Sequence, residues 1–218
     1  MILPQALFID MDGTLVDSEP YWEEAKINLA TRFGIPFTSA DAAELVGKSM
    51  MVTVEAMQAV GVPLSEEEIL AALVDEVANR VGEGIPWLPG AQEFLARASA
   101  AGIPCALVTQ AWAPVARHVV EQSDGALQVM VSGGDVSHPK PHPEPYLLAA
   151  EKLGVDPTKC VAIEDSPAGA ASAEAAGAQV IVMPGIHPVE PSPNRHPVES
   201  MENVTIELLE RLVSKPLG

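Results

Sequence analysis

Basic residues are scarce in this chain: 12 Lys and Arg stand against 30 Asp and Glu, a formal net charge of −18 over 218 residues. A field of that sign repels nucleic acid and anionic membrane surfaces, so neither is expected as a partner. Long apolar runs are also missing. No stretch approaches the roughly 18 residues that a membrane span needs, and the opening MILPQ has neither the basic region nor the apolar core of a signal peptide. Cysteine is limited to Cys105 and Cys160, each inside an apolar run that reads as a buried strand. They are expected to be core residues rather than a metal pair, which suits a reducing compartment, and a cytoplasmic location follows as the expectation. Internal repeats are absent, and apart from the Pro-rich loop at 184–197 so are low-complexity tracts.

What is present is enough for a core, since 48% of the residues are hydrophobic and the length suits one α/β domain with a smaller insertion. The organising stretch is 6–17, ALFIDMDGTLVD. Its apolar start reads as a strand buried on both faces, as in parallel sheets. Ligands of such sheets bind beyond the carboxyl ends of the strands, which is where Asp10 emerges, followed by Asp12 and by Gly13, which permits a tight turn or a close approach. Taken alone, D-x-D-G is more often a plain structural turn than a catalytic one. A calcium loop starting at Asp10 fails, because it needs Gly where Leu15 stands and Glu where Tyr21 stands.

Three further segments carry chemistry. Thr109 follows IPCALV, Lys140 lies in KPHPEPY, and Glu164 and Asp165 lie in VAIEDSPAGAASAEAAGA. Taken singly, Thr109 reads as structural, Lys140 as a solvated charge, and Glu164-Asp165 as an N-cap for the following helix. Together with DMDGTLVDSE, in this order and each at or just after a strand end, they resemble the motifs of the haloacid dehalogenase superfamily, in its phosphatase and phosphomutase branch.

The resemblance implies a Mg²⁺ site formed by Asp10, the backbone carbonyl of Asp12, Asp165 and, directly or one step removed, Glu164. It implies Asp10 as nucleophile, Asp12 as acid and base, and Thr109, Gln110 and Lys140 around the phosphate, Lys140 bridging it to Asp10. A carboxylate cluster of this kind needs a cation on elementary grounds, because each like-charge pair at 4 Å costs about 4 kcal/mol at an effective dielectric of about 20. Hard oxygen donors favour Mg²⁺. The second carboxylate, Asp12, is usually absent from the superfamily's dehalogenases and phosphonatases, which points to C–O–P substrates. The segment after Thr109, QAWAPVARHVVE, departs from the small Ser- or Asn-rich continuation of relatives.

The expected fold is α/β, a Rossmann-like, mainly parallel sheet with a small helical cap inserted. The core is expected at 1–16 and 88–218, and the cap at 17–87. Helical spacing places cap helices at 19–33, 39–46, 49–60 and 65–81, the last opened by a Ser65/Glu68 capping box. From residue 90 the pattern alternates: helices at 91–101, 114–122, 143–153 and 166–176 interleave with strands at 103–108, 127–131, 160–163 and 179–182, and a helix closes the chain at 205–213. In the cap, Gly47-Lys48 resembles the loop that relatives dip toward the leaving group. His118, His138, His142, His187 and His196 show no ligand pair carried on a helix, since four of them lie in Pro-broken loops, so solvated side chains are expected.

The resulting expectation is a monomeric phosphatase acting on a small phosphorylated metabolite, a sugar phosphate or similar. The alternatives are a β-phosphoglucomutase-like phosphomutase and a non-catalytic binding module on the same fold. Hydrolysis is favoured over mutation because the stretch at 47–51, GKSMM, holds no arginine to grip a second phosphate.

Overall fold

The computed structural model describes residues 2–46 and 48–214. The chain divides into two compact units, Met1–Asp17 with Trp87–Gly218, and Ser18–Pro86.

The first unit is built on a six-stranded parallel sheet. Its strands are β1 (Leu7–Ile9), β2 (Cys105–Val108), β3 (Leu127–Val131), β4 (Val161–Glu164), β5 (Gln179–Val182) and β6 (Arg195–Pro197), in the spatial order β3-β2-β1-β4-β5-β6. β1 is buried on both faces, as its unbroken apolar run requires, and pairs Leu7 with Cys105 on one side and Val161 on the other. The helices of this unit are α5 (Ala91–Ala100), α6 (Ala113–Glu121), α7 (Glu144–Leu153), α8 (Pro167–Ala175) and α9 (Ile206–Val213). Phe8 and Tyr146 lie within one buried cluster, their ring centroids 6.0 Å apart. Burying such a side chain contributes about 1.5–3 kcal/mol. Cys105 and Cys160 are free and buried, and burial raises both thiol pKa values to about 12. In this strand order the direction of winding reverses between β1 and β4, which opens a crevice at their carboxyl ends.

The second unit is helical: α1 (Glu19–Arg32), α2 (Ser39–Ala43), α3 (Met50–Ala59) and α4 (Glu66–Glu83). Leu29, Val54, Met57, Ile69, Leu73 and Val77 are buried. Ser65 and Glu68 form the expected capping box, and Thr38 with Asp41 forms a second one.

Several details depart from the sequence reading, among them β2 starting at Cys105 rather than 103 and α4 running to Glu83 rather than 81. α2 begins at Ser39 as expected, capped by Thr38, but ends at Ala43 rather than reaching 46. β4 begins at Val161, one residue late, and keeps Glu164 inside the strand. The Pro-rich loop contains β6, an edge strand paired to β5 from Val180↔Arg195 to Val182↔Pro197. His196 is therefore in a strand, with its Nε2 2.7 Å from Gln179 Oε1, rather than in an open loop. Among the described residues, no helix is long and apolar enough to cross a membrane.

Candidate active site

The crevice between β1 and β4 collects the acidic residues. Asp10 extends the ladder of β1 by one bond, its N–H donating to Ile163 O at 3.0 Å, so its carboxylate is delivered at the sheet edge. Glu164 closes β4 and Asp165 follows it. Carboxylate oxygens of Asp10, Glu164 and Asp165 lie within 4.8 Å of one another. Gly13 makes this approach possible: its φ is +81°, and a Cβ built there would stand 2.2 Å from Asp165 Oδ2.

Lys140 enters the cluster from the loop before α7. Its Nζ donates to Asp10 Oδ1 at 2.7 Å, to Glu164 Oε1 at 2.6 Å and to Val108 O at 2.9 Å. All three protons of the ammonium are thus used, two of them in charge-assisted bonds. Glu164 is 0% exposed. It also accepts from the Tyr146 hydroxyl and, at 3.0 Å, from Ser166 Oγ. The N-cap of α8 is Ser166, which accepts from Gly169 N at 3.1 Å. Glu164 is accordingly a buried anchor rather than a cap. Gly169 leaves room for it, since a Cβ there would fall 1.9 Å from Glu164 Oε1.

The electrostatics follow from burial. Desolvation first, and the Glu164 charge second, raise the pKa of Asp10 well above its ordinary value. The same causes raise Asp165 to about 6. Desolvation opposes the Lys140 charge, but Asp10 and Glu164 more than offset it and push its pKa up. One ammonium facing three carboxylates leaves an excess of negative charge in a desolvated crevice, and such an arrangement fits a bound cation.

Thr109, at the end of β2, is 3% exposed. Its hydroxyl donates to Asp12 Oδ2 at 3.3 Å and accepts from Ala111 N at 2.9 Å. The Asp12 carboxylate stands beside Thr109 and is not one of the three clustered carboxylates that could hold a cation. Gln110 does not reach the carboxylates; its amide donates to Lys140 O at 3.1 Å and braces the loop. Lys48 is exposed on the helical unit, and Gly47 lies outside the described residues. Sequence reasoning missed Tyr146, which stands six residues beyond Lys140 in the same KPHPEPY segment. Its signal was a lone polar aromatic at the start of an otherwise apolar helix face.

The chain is similar to known proteins. The family described as haloacid dehalogenase-like hydrolase matches residues 4–177. Hexitol phosphatase A of Escherichia coli (strain K12) is 38% identical over 183 residues, covering 82% of this chain and 82% of that protein. Hexitol phosphatase B of the same strain is 30% identical over 218 residues, covering 97% and 96%. The crystal structure of CbbY from Rhodobacter sphaeroides in complex with phosphate superposes with a TM-score of 0.81 at 25% identity, covering 93% of this chain and 96% of that one. The chain therefore belongs to the haloacid dehalogenase-like hydrolases, as a member of their phosphoric monoester hydrolase branch.

Proposed function

We propose that this protein is a Mg²⁺-dependent phosphatase of small polyhydroxylated phosphate monoesters, hexitol or sugar phosphates, working through an aspartyl phosphate on Asp10. The observation that carries the reading is Lys140 bonded to both Asp10 and Glu164 at the carboxyl edge of the sheet, with Asp165 beside them. The names of the two hexitol phosphatases support the substrate class.

We assign the cation to Asp10, the backbone carbonyl of Asp12 and Asp165. Glu164 is better suited to holding Lys140 than to touching the ion, because its two oxygens already accept three hydrogen bonds. When bound, Mg²⁺ supplies neutralisation of the carboxylate and phosphate charges. Asp10 attacks phosphorus with a carboxylate oxygen; a P–O bond to Asp10 forms as the bond to the leaving oxygen breaks. Asp12 protonates that oxygen. As a carboxylate it then takes a proton from water, whose oxygen attacks phosphorus and releases Asp10. Thr109 orients Asp12, and Lys140 favours the ionised form of Asp10 against the desolvation that opposes it. Substrate choice is assigned to the helical unit, with Lys48 tuning affinity for the leaving group.

The test is a panel of hexitol and sugar phosphates with and without Mg²⁺, following released phosphate. Hydrolysis of several members only with Mg²⁺ is expected, together with inhibition by Ca²⁺, whose looser coordination spoils an in-line geometry. Full activity after exhaustive chelation overturns the metal assignment. The mutase reading is checked in the same panel with β-glucose 1-phosphate and a bisphosphate activator. Glucose 6-phosphate forming faster than free phosphate would replace hydrolysis by mutation.

A further inference from the structure

The loop that presents Lys140 has two faces. Its sequence from Ser137 is Ser-His-Pro-Lys-Pro-His-Pro-Glu. The Lys140 side chain turns inward and is 3% exposed, whereas those of His138 and His142 turn outward, 66% and 51% exposed. The two imidazoles are solvent-exposed, as the sequence suggested, and they also meet each other. Their ring centroids are 4.6 Å apart, with 32° between planes. Glu144, the first residue of α7, folds its carboxylate back over the loop, where Oε1 accepts from Ser137 N at 2.8 Å and Oε2 from His138 N at 3.0 Å. Oε2 also lies 2.7 Å from His138 Nδ1 and 3.9 Å from His142 Nδ1. One donor atom from each of the three residues lies within 4.8 Å of the others.

We propose that His138, His142 and Glu144 form a second cation site, for a borderline divalent ion of the Zn²⁺ class, on the outer face of the Lys140 loop. The chemistry differs from that of the crevice. Two imidazoles and one carboxylate select Zn²⁺, Ni²⁺ or Cu²⁺ over Mg²⁺ or Ca²⁺, which prefer all-oxygen donors. Three protein donors leave an open position for water, as at solvent-facing zinc sites.

The geometry needs little adjustment. Tetrahedral coordination at about 2.0–2.1 Å from the ion places donor atoms about 3.3 Å apart. The two separations from the Glu144 oxygen, 2.7 and 3.9 Å, bracket that value, and the two imidazole donors lie within 4.8 Å of each other. Shifts of up to about 1.5 Å therefore complete the site, with the His138 proton moved from Nδ1 to Nε2. The backbone is held for it. Pro139, Pro141 and Pro143 fix φ at alternate positions, and His142 O accepts from Ser172 Oγ at 2.6 Å. Backbone and imidazole donors at Ser137 and His138 lower the Glu144 pKa, so its carboxylate is ready to bind. His142 Nδ1, which accepts from Glu144 N at 3.2 Å, either exchanges that bond for the ion or leaves Nε2 to bind it. A bound ion ties the two ends of the segment together around Lys140, so occupancy stabilises the loop that supplies the active-site cation.

The test uses the full chain, stripped with chelator and then saturated with Mg²⁺ to fill the acidic crevice. Zn²⁺ is titrated against a fluorescent zinc chelator. One equivalent bound with a Kd of about 1 µM or tighter is expected. His138→Gln and His142→Gln should each weaken it at least about tenfold, the least that losing even an outer partner of a metal ligand costs. Asp165→Asn should leave it unchanged. Co²⁺ in place of Zn²⁺ should give visible absorption that is lost in the His142→Gln variant. No binding, or binding lost in Asp165→Asn and indifferent to both histidines, overturns the proposal. Because the histidine variants remove exposed side chains and Asp165→Asn relieves repulsion, all three can be compared as folded proteins by circular dichroism.

Discussion

The two units hold their charges in opposite ways. In the helical unit each ion pair reaches the surface: Arg32 to Glu76 at 2.8 Å, Arg80 to Glu24, and buried Lys26 to Glu19, itself 40% exposed, at 3.6 Å. Its polar order comes from local devices such as the capping boxes. In the sheet unit one lysine and three carboxylates are gathered inside the crevice. Exposed pairs contribute about 0–1 kcal/mol each, whereas breaking a buried pair costs about 3–5 kcal/mol. The helical unit is thus assembled from replaceable parts, while the sheet unit carries an arrangement whose expense is justified only by chemistry.

The sharpest break between function and stability is expected at Asp10. Asp10→Asn removes the nucleophile and should lower kcat by at least about 10³-fold. It also removes one of three crowded negative charges, so the midpoint of urea unfolding should stay level or rise. A variant that unfolds more easily would contradict the electrostatic account. Lys140→Met should do the reverse in stability, because it leaves Asp10 and Glu164 buried and uncompensated. A loss of about 3–5 kcal/mol by denaturant unfolding is expected, together with lost turnover.

The next effect is on pH. The folded-state pKa of Asp165, about 6, lies above the ordinary value of 3.8. Between these values the native state binds more protons than the unfolded state, so stability in chelator falls as pH rises, and the full cost is present above about pH 6. Asp10 shifts in the same direction. Mg²⁺ should therefore raise Tm more at about pH 7.5 than at about pH 5, where protons compete for the same oxygens. Equal shifts at both pH values would place the ion elsewhere. The smallest effect belongs to the helical unit. Ser65→Ala removes a capping box at α4 and should cost about 1 kcal/mol without changing turnover by more than its effect on folding.

Much of the sheet unit was legible because its signals are local. The apolar run before Asp10, the Pro-flanked Lys140 and the acidic pair after VAI each state a strand end or a stiff loop in a few residues. The contact of Tyr146 with Glu164 was hidden because it joins residues 18 apart across two elements, and no periodicity encodes such a meeting. Gly169 gives no signal of its own in the sequence, and only the packed carboxylate shows why a side chain is excluded there. β6 escaped notice because an edge strand of three residues, Arg195–Pro197, needs neither apolar alternation nor length when one neighbour supplies all its bonds. The capping boxes at Thr38 and Ser65 differ in the same way. The Ser65 box precedes a long amphipathic run, whereas the Thr38 box opens a helix of five residues, Ser39–Ala43, with too little pattern to fix its end.

The central claim is that Asp10 becomes covalently bonded to phosphorus. Enzyme mixed with a hydrolysed hexitol phosphate and Mg²⁺ can be quenched in acid during turnover, reduced with borohydride and digested. Borohydride converts an acyl phosphate to homoserine, which peptide mass spectrometry locates. The account predicts homoserine in place of Asp10 when substrate and Mg²⁺ are both present, and none in the Asp10→Asn variant. An intact Asp10 throughout steady turnover with reduction at Asp12 or Asp165 would contradict it.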